Sequence, residues 1–313
     1  MLRSRTKCGV SKHEAALILR RRPHPSRWRV APPQDEGGSA IVATDSMTPE
    51  LDIVIPVYNE GRNIVAVLAA LKRAVATPAR VLICYDHAED DTLPAIRANS
   101  EAYAGLPVEF VRNHTGRGVH GAVTTGFAAS TAPFVLMFPA DDHVNAPMLD
   151  RMVALARGGC DIVCASCFMP GGAMIGCPWL KAALVRSANF TLRHVARLPT
   201  TDASNGFRMF SRRAIDRIEV ESQVGFCYSI ELLVKAHRLG WRIAEVPVTW
   251  IERESGESRF RVLKWLPAYL RWYGYAFATT FLRRPPRTVT LKDTASPVHS
   301  RGSGNPERPT GDS

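Results

Sequence analysis

The sequence predicts an α/β fold, a mainly parallel sheet flanked by helices. Three observations carry that expectation. Between residues 51 and 166, short apolar runs alternate with stretches of helical periodicity. The intervening stretches are long enough for right-handed crossovers between parallel strands. Acidic and polar residues cluster just after the apolar runs, where open parallel sheets bind ligands.

Leu51–Val57 reads as the first strand and runs into a loop. In Asn63–Val75 the apolar positions Ile64, Val67, Leu68, Leu71 and Val75 recur at helical spacing. Arg80–Tyr85 reads as a strand, Thr92–Ala104 as a helix, Val108–Val111 as a strand and Val119–Ala129 as a helix. Phe134–Phe138 is the next strand, followed by the acidic turn Pro139-Ala140-Asp141-Asp142-His143 and a helix near Pro147–Ala156. Asp161–Ser166 is a further strand. Cys160, Cys164 and Cys167 approach a metal-ligand spacing, but no second ligand pair follows, so one core strand is the expected origin.

Three clusters fall at strand ends: Tyr58-Asn59-Glu60, Asp86 through Asp91, and Asp141-Asp142-His143. Their convergence predicts a site. Asp141 and His143, two apart on a turn, would both face one divalent cation, Mg²⁺ or Mn²⁺, with Mn²⁺ the better match for an imidazole. Asp142 has two readings, a ribose contact or a residue that starts the following helix. His114-Thr115-Gly116-Arg117-Gly118 joins a strand to a helix, where Arg117 would meet a phosphate. Asp202 to Arg208 reads as a polar loop before a helix, and Gly256-Glu257-Ser258-Arg259 as a loop that closes over a diphosphate.

The chain has 313 residues, 46% hydrophobic and 22% charged, with a net charge of +11. The excess is not evenly spread. Residues 1–47 hold 9 basic and 4 acidic side chains, residues 48–252 hold 20 of each, and residues 253–313 hold 11 and 5. A neutral body argues against nucleic-acid binding, while basic flanks suit an anionic membrane surface or an acidic partner. Seven scattered cysteines show no paired framework and read as reduced thiols of a cytoplasmic protein. No apolar leader opens the chain, so no signal peptide is expected, and Met47 reads as a second candidate start. The expected organisation is a disordered basic arm at 1–47, a catalytic domain at 48–260, a membrane-interface helix at 261–284 and a disordered tail at 285–313. The interface helix rests on Trp265–Leu282, a stretch rich in Trp, Tyr and Phe and interrupted by Pro267 and Arg271. It is marginal for a span of ~20 apolar residues and better suited to lie in the interface. A core helix of the domain is the other reading.

Several motifs in order resemble those of family-2 glycosyltransferases with the Rossmann-like GT-A fold, of the dolichol-phosphate mannose synthase and polyprenyl-phosphate glycosyltransferase type. They are Ile53 to Glu60, Asp86 to Thr92, His114 to Gly126, Gly206-Phe207-Arg208, Ile230-Glu231-Leu232 through Gly240, Glu245-Val246-Pro247-Val248, and Arg253 to Arg259. The resemblance covers roughly residues 50–265. It implies that Pro56, Tyr58, Glu60 and Asp86 hold the base and ribose of a nucleotide-sugar donor. Ala140 and Asp142 flank the Asp141 that would bind metal and diphosphate, with His143 at a position that can supply another metal ligand. Arg117, Arg208 and Arg259 would contact phosphates. Two departures stand out. Pro139 replaces the first carboxylate of the family's Asp-x-Asp, and Tyr85, His87 and Ala88 replace residues of its second-strand motif. The Gln-x-x-Arg-Trp motif of processive synthases is absent, which favours transfer of a single sugar. The expected reaction is inverting transfer of one hexose from a nucleoside diphosphate sugar to a polyprenyl phosphate, at the inner face of the cell membrane. A soluble or protein-bound acceptor, or a non-catalytic membrane-associated module, are the other readings.

Overall fold

The computed structural model of the protein describes residues 48–252 and 262–292. Its frame is a seven-stranded sheet ordered β3-β2-β1-β4-β7-β5-β8. The strands are β1 (Leu51–Pro56), β2 (Ala79–Tyr85), β3 (Val108–Arg112), β4 (Phe134–Met137), β5 (Ile162–Ser166), β7 (Arg208–Ser211) and β8 (Ile243–Pro247). All run parallel except β7, which lies antiparallel between β4 and β5. A separate parallel ribbon pairs β6 (Ala173–Ile175) with β9 (Thr249–Ile251).

The strand sequences show why the sheet is covered on both faces. Leu51 to Ile55 are buried without a break, as in strands sandwiched between helices. Their side chains alternate between two cores. Ile53, Ile55, Val81, Ile83 and Leu136 meet α1 (Ile64–Ala74), α2 (Thr92–Ala98) and α4 (Leu149–Arg157) on one face. Val54, Leu82, Cys84, Val135 and Met137 meet α3 (Val119–Ala129) and α7 (Cys227–Arg238) on the other. That second face also receives residues of α5 (Trp179–His194), α6 (Arg212–Arg217) and α8 (Val262–Phe281).

The order of elements through residue 166 is the expected one, including Cys164 buried within β5. Two details differ. The expected helix at 92–104 breaks at Asn99, whose amide bonds back to the Ala95 carbonyl, and a short 3₁₀ turn over Ser100–Tyr103 follows. A side chain that competes for backbone groups in this way disfavours continuation. After the 202–208 loop comes not a helix but β7, with α6 following it.

Two buried contacts fix the sheet. Asp52 is fully buried at the start of β1 and accepts from Arg80 Nε (2.9 Å) and Nη2 (3.0 Å) and from the amides of Thr131 and Ala132. Burial pushes its carboxyl upward, but the Arg80 bonds and the two amides outweigh it and hold the group below its ordinary value. Its contribution is therefore complete above the unfolded value of about 3.9 and is lost as pH falls through the lower folded value. Asp52→Asn should lower stability at neutral pH by about 2 kcal/mol and flatten the acid limb of a stability profile below about pH 4. Urea unfolding at several pH values checks both. The second contact is Gly126 of α3. A Cβ there would lie 2.4 Å from Val54 Cγ1 and 2.7 Å from Cys84 Sγ. Gly126→Ala should overpack this seam and cost about 1–3 kcal/mol in the same assay.

The aromatic C-terminal segment forms α8, 20 residues with Pro267 inside. One side docks on α7. Trp272 is buried, its indole donating to Ser222 Oγ at 2.8 Å, and Arg238 of α7 donates to the Tyr275 carbonyl and to Thr279. Among the described residues no helix is long and apolar enough to cross a membrane. Residues 285–292, expected to begin a disordered tail, instead return to the domain. Leu291 bridges Ile218, and Lys292 donates to the carbonyls of Arg217 and Ile215.

Candidate functional site

Parallel pairing brings the predicted clusters to one edge. Pro56 sits beside Cys84, and Val54 beside Met137, so the loops after β1, β2 and β4 leave the sheet together. The order reverses at β1, between β2 and β4, which opens the crevice where such sheets bind ligands.

The first two loops are latched to each other. Asp90, fully buried, accepts from the Asn59 amide through both oxygens at 3.1 Å and from the Thr92 amide at 2.9 Å. Thr92 Oγ1 accepts from the Glu60 amide, and Asp91 from the Gly61 amide. These bonds hold Asn59 at φ 55°, an unfavourable region for a side-chain-bearing residue, and so fix the bend that displays Tyr58. Tyr58 is exposed and meets the His87 ring edge-on, with centroids 5.4 Å apart. Glu60 accepts from the Asn63 amide group. Sequence reasoning placed Tyr58 and Glu60 here but missed Asp90, which looked like one more carboxylate in an acidic run.

Asp86 reaches the glycine-rich turn. It accepts from Asn113 Nδ2 and from the Gly118 amide, each at 2.7 Å. Gly116 and Gly118 have φ of 132° and 102°, values that a side chain would strain. A Cβ on Gly121 would fall 1.8 Å from the Gly116 carbonyl oxygen. The turn is thus compact, and exposed Arg117 stands at its tip.

The acidic turn divides its residues by role. Ala140 is buried beneath it. Asp142 points inward and accepts from the amides of Val144 (3.0 Å) and Asn145 (2.9 Å) and from Asn145 Nδ2 (2.7 Å). Asn145 also pairs with the Thr249 backbone in both directions, which ties the turn to β9. Burial raises the Asp142 carboxyl above its ordinary value, against the pull of these bonds. Asp142 does not start a helix: the amides it accepts from precede the 3₁₀ turn that opens at Ala146, so it folds the acidic turn back on itself. Asp141 is half-buried and His143 exposed on the same turn.

Arg208 lies under the site. It is fully buried on β7, with Nη1 donating to the Ser229 carbonyl and hydroxyl and Nη2 to the carbonyls of Asp202 and Ala203. Those bonds shape the 202–208 loop. The apolar run Met209-Phe210 after it was the available signal that Arg208 begins a core strand. Arg259 lies outside the described residues.

Among the described residues no group of three His, Cys, Asp or Glu is arranged to hold a metal ion. A hard cation takes one or two carboxylates and completes its shell with substrate phosphates and water. Asp141 with His143 nearby fits a mode in which substrate phosphates and water would bring most of the ligands.

Comparison with known proteins gives the family. The chain is 27% identical over 248 residues to polyprenol monophosphomannose synthase of Mycolicibacterium smegmatis, covering 74% of this chain and 92% of that protein. It is 30% identical over 212 residues to undecaprenyl-phosphate mannosyltransferase of Micrococcus luteus, covering 66% and 85%. Among solved structures, glucosyl-3-phosphoglycerate synthase of Mycobacterium tuberculosis, crystallised with Mn²⁺, uridine diphosphate and its product, superimposes with a TM-score of 0.54 over 72% of this chain and 80% of that one. At 18% identity that likeness speaks for the fold alone. The family model described as Glycosyl transferase family 2 matches residues 52–219, more than half of the chain, and the protein belongs to that family.

Proposed function

We propose that this family-2 glycosyltransferase moves one hexose from a nucleoside diphosphate sugar to a polyprenyl phosphate, inverting the anomeric carbon. The observation that carries the reading is the convergence of the Pro56–Glu60 loop, Asp86, the Arg117 turn and Asp141 at one sheet edge. The names of the two relatives support the lipid acceptor.

Pro56, Tyr58, Glu60 and Asp86 would line the base and ribose, on loops already latched by Asp90 and Thr92. Arg117 would meet the diphosphate. A divalent cation, held by Asp141 and His143, would neutralise charge on the departing nucleoside diphosphate. Arg208 would act as a positioning residue, because its guanidinium is committed to the loop beneath the site. The acceptor phosphate is already anionic near neutral pH, so its oxygen attacks the anomeric carbon without a strong base. The bond from that carbon to the diphosphate breaks as the new one forms.

A second feature fits the acceptor. A half-open pocket of about 420 Å³ lies past the end of β5, at the same edge of the sheet. Arg186 and Arg193 of α5 line it together with Phe168 and Phe190. Guanidinium groups beside aromatic rings suit a phosphate carried on hydrocarbon. The test is a screen of radiolabelled nucleotide sugars against a short polyprenyl phosphate, read as label in the organic phase. One donor should give an extractable, acid-labile lipid-linked sugar. Transfer only to water-soluble acceptors would overturn the proposal. A lipid acceptor also implies work at a membrane, peripherally and on its cytoplasmic face.

A further inference from the structure

The loops after β1 and β2 meet in a pair of rings. Tyr58 and His87 stand nearly perpendicular, with 89° between their planes and centroids 5.4 Å apart. Two rings so arranged make a corner, in which a third planar ring can lie flat on one and meet the other. The backbone beneath the corner is fixed. The His87 carbonyl accepts from the Asp90 amide, and Asp90 holds the amide of Asn59, the residue after Tyr58. The corner is therefore set before a ligand arrives, which lowers the cost of binding one. The carboxylates around it are already engaged. Asp86 gives one oxygen to Asn113 Nδ2 and the other to the Gly118 amide, and Glu60 Oε2 accepts from the Asn63 side chain.

His87 differs from these neighbours. Its Nδ1 is covered by the protein yet has no hydrogen-bond partner. Glu89 Oε2, at 3.9 Å, lies beyond bonding reach. A covered polar group left unpaired is costly, and an orphaned N–H is rarer than an orphaned acceptor. The tautomer that avoids an orphaned N–H leaves Nδ1 bare and puts the proton on Nε2. The side chain is 32% exposed and Nδ1 is its covered nitrogen, so Nε2 is the nitrogen open to a ligand. The ring thus offers an outward donor beside the Tyr58 ring. That pairing matches a planar heterocycle that carries a carbonyl oxygen.

We propose, on the nucleotide-sugar reading of the site, that His87 is a specificity-determining residue for the donor's nucleobase. The base packs in the Tyr58–His87 corner, and a carbonyl oxygen on its edge accepts from His87 Nε2. Uracil, cytosine and guanine carry such a carbonyl and adenine does not, so adenine nucleotides are the ones turned away. The test is calorimetry on the full chain with Mn²⁺ and, in turn, the diphosphates of uridine, cytidine, guanosine and adenosine, and pyrophosphate alone. At least one of the first three should bind about tenfold more tightly than adenosine diphosphate. His87→Ala should abolish that margin, while pyrophosphate affinity and melting temperature stay as in the wild type. His87→Phe, which keeps a ring beside Tyr58 but has no nitrogen, should lose the margin too. His87→Gln, which carries an amide donor at similar reach, should keep part of it. A margin that survives in His87→Ala or His87→Phe overturns the proposal, and so does wild-type binding of adenosine diphosphate as tight as that of the other three. If no nucleoside diphosphate binds more tightly than pyrophosphate, the nucleotide-sugar reading falls together with the role of His87.

Discussion

Asp141→Asn is expected to reduce sugar transfer by about a hundred- to a thousandfold without lowering the melting temperature. The turn owes its shape to Asp142, whose carboxylate collects three hydrogen bonds, and to Asn145, which clamps β9. Asp141 projects from that support half-buried, at the edge where the loops after β1, β2 and β4 meet. Removing its charge leaves the scaffold but takes away the one carboxylate the turn offers to a cation, since Asp142 is turned inward onto backbone amides. The loss should therefore fall on kcat more than on KM, as for an interaction that strengthens while the leaving group gains charge. His143→Ala should produce a smaller loss, partly recovered by raising Mn²⁺. Asp142→Ala should behave in the opposite way, with a lower melting temperature preceding any loss of rate. Initial rates over a Mn²⁺ titration, paired with thermal melts, separate the three. Full turnover by Asp141→Asn would refute the assignment of this turn.

Much of this arrangement was legible because parallel sheets obey a simple rule. Buried strands read as unbroken apolar runs, and the loops after them share an edge. Tyr58, Asp86 and Asp141 could be placed together from that rule, with no distance known. What escaped was of another kind. β7 is four residues long, antiparallel, and entered from a polar loop, so neither its length nor its surroundings announced a strand. Arg208 read as a surface phosphate ligand because arginine is seldom buried. The carbonyls that make its burial tolerable belong to residues 202, 203 and 229, and only the folded chain brings them together. Asp90 hid for the same reason, since its partner amide is 31 residues away. α5 was not read as a helix at all. Its apolar residues fall on both sides, Leu192 inward and Trp179, Leu184 and Phe190 outward, so no single stripe marks a helix. The C-terminal segment gave the right composition for an amphipathic helix, but not the α7 surface on which one side of it rests.

The largest stability effect is expected at Lys235. Its ammonium is fully buried within α7 and donates to Glu231 Oε1 (2.7 Å), to Glu221 Oε1 (2.7 Å) and to the Glu219 carbonyl (2.6 Å). Glu231, equally buried, also accepts from the amides of Glu221 and Ser222. Lys235→Met removes the one cation bonded to the buried Glu231 carboxylate among the described residues and should cost about 3–5 kcal/mol. Lys235→Met with Glu231→Gln discharges both partners, and most of that loss should return, because a buried ion pair gains little over a neutral pair of similar shape. Guanidinium unfolding of the two single variants and the double variant closes the cycle. Equal losses in Lys235→Met and in the double variant would show that packing, not charge, holds the site. The network also positions α8, for Ser222 receives the Trp272 indole, the Lys235 ammonium lies 5.2 Å from the centre of that ring, and Arg271 pairs with Glu221. Breaking it should loosen α8 before it disturbs the β1, β2 and β4 edge, which draws its support from Asp52, Asp90 and Gly126 instead. Below its global unfolding transition, Lys235→Met should therefore expose α8 to proteolysis at denaturant concentrations that still leave the β1, β2 and β4 edge folded.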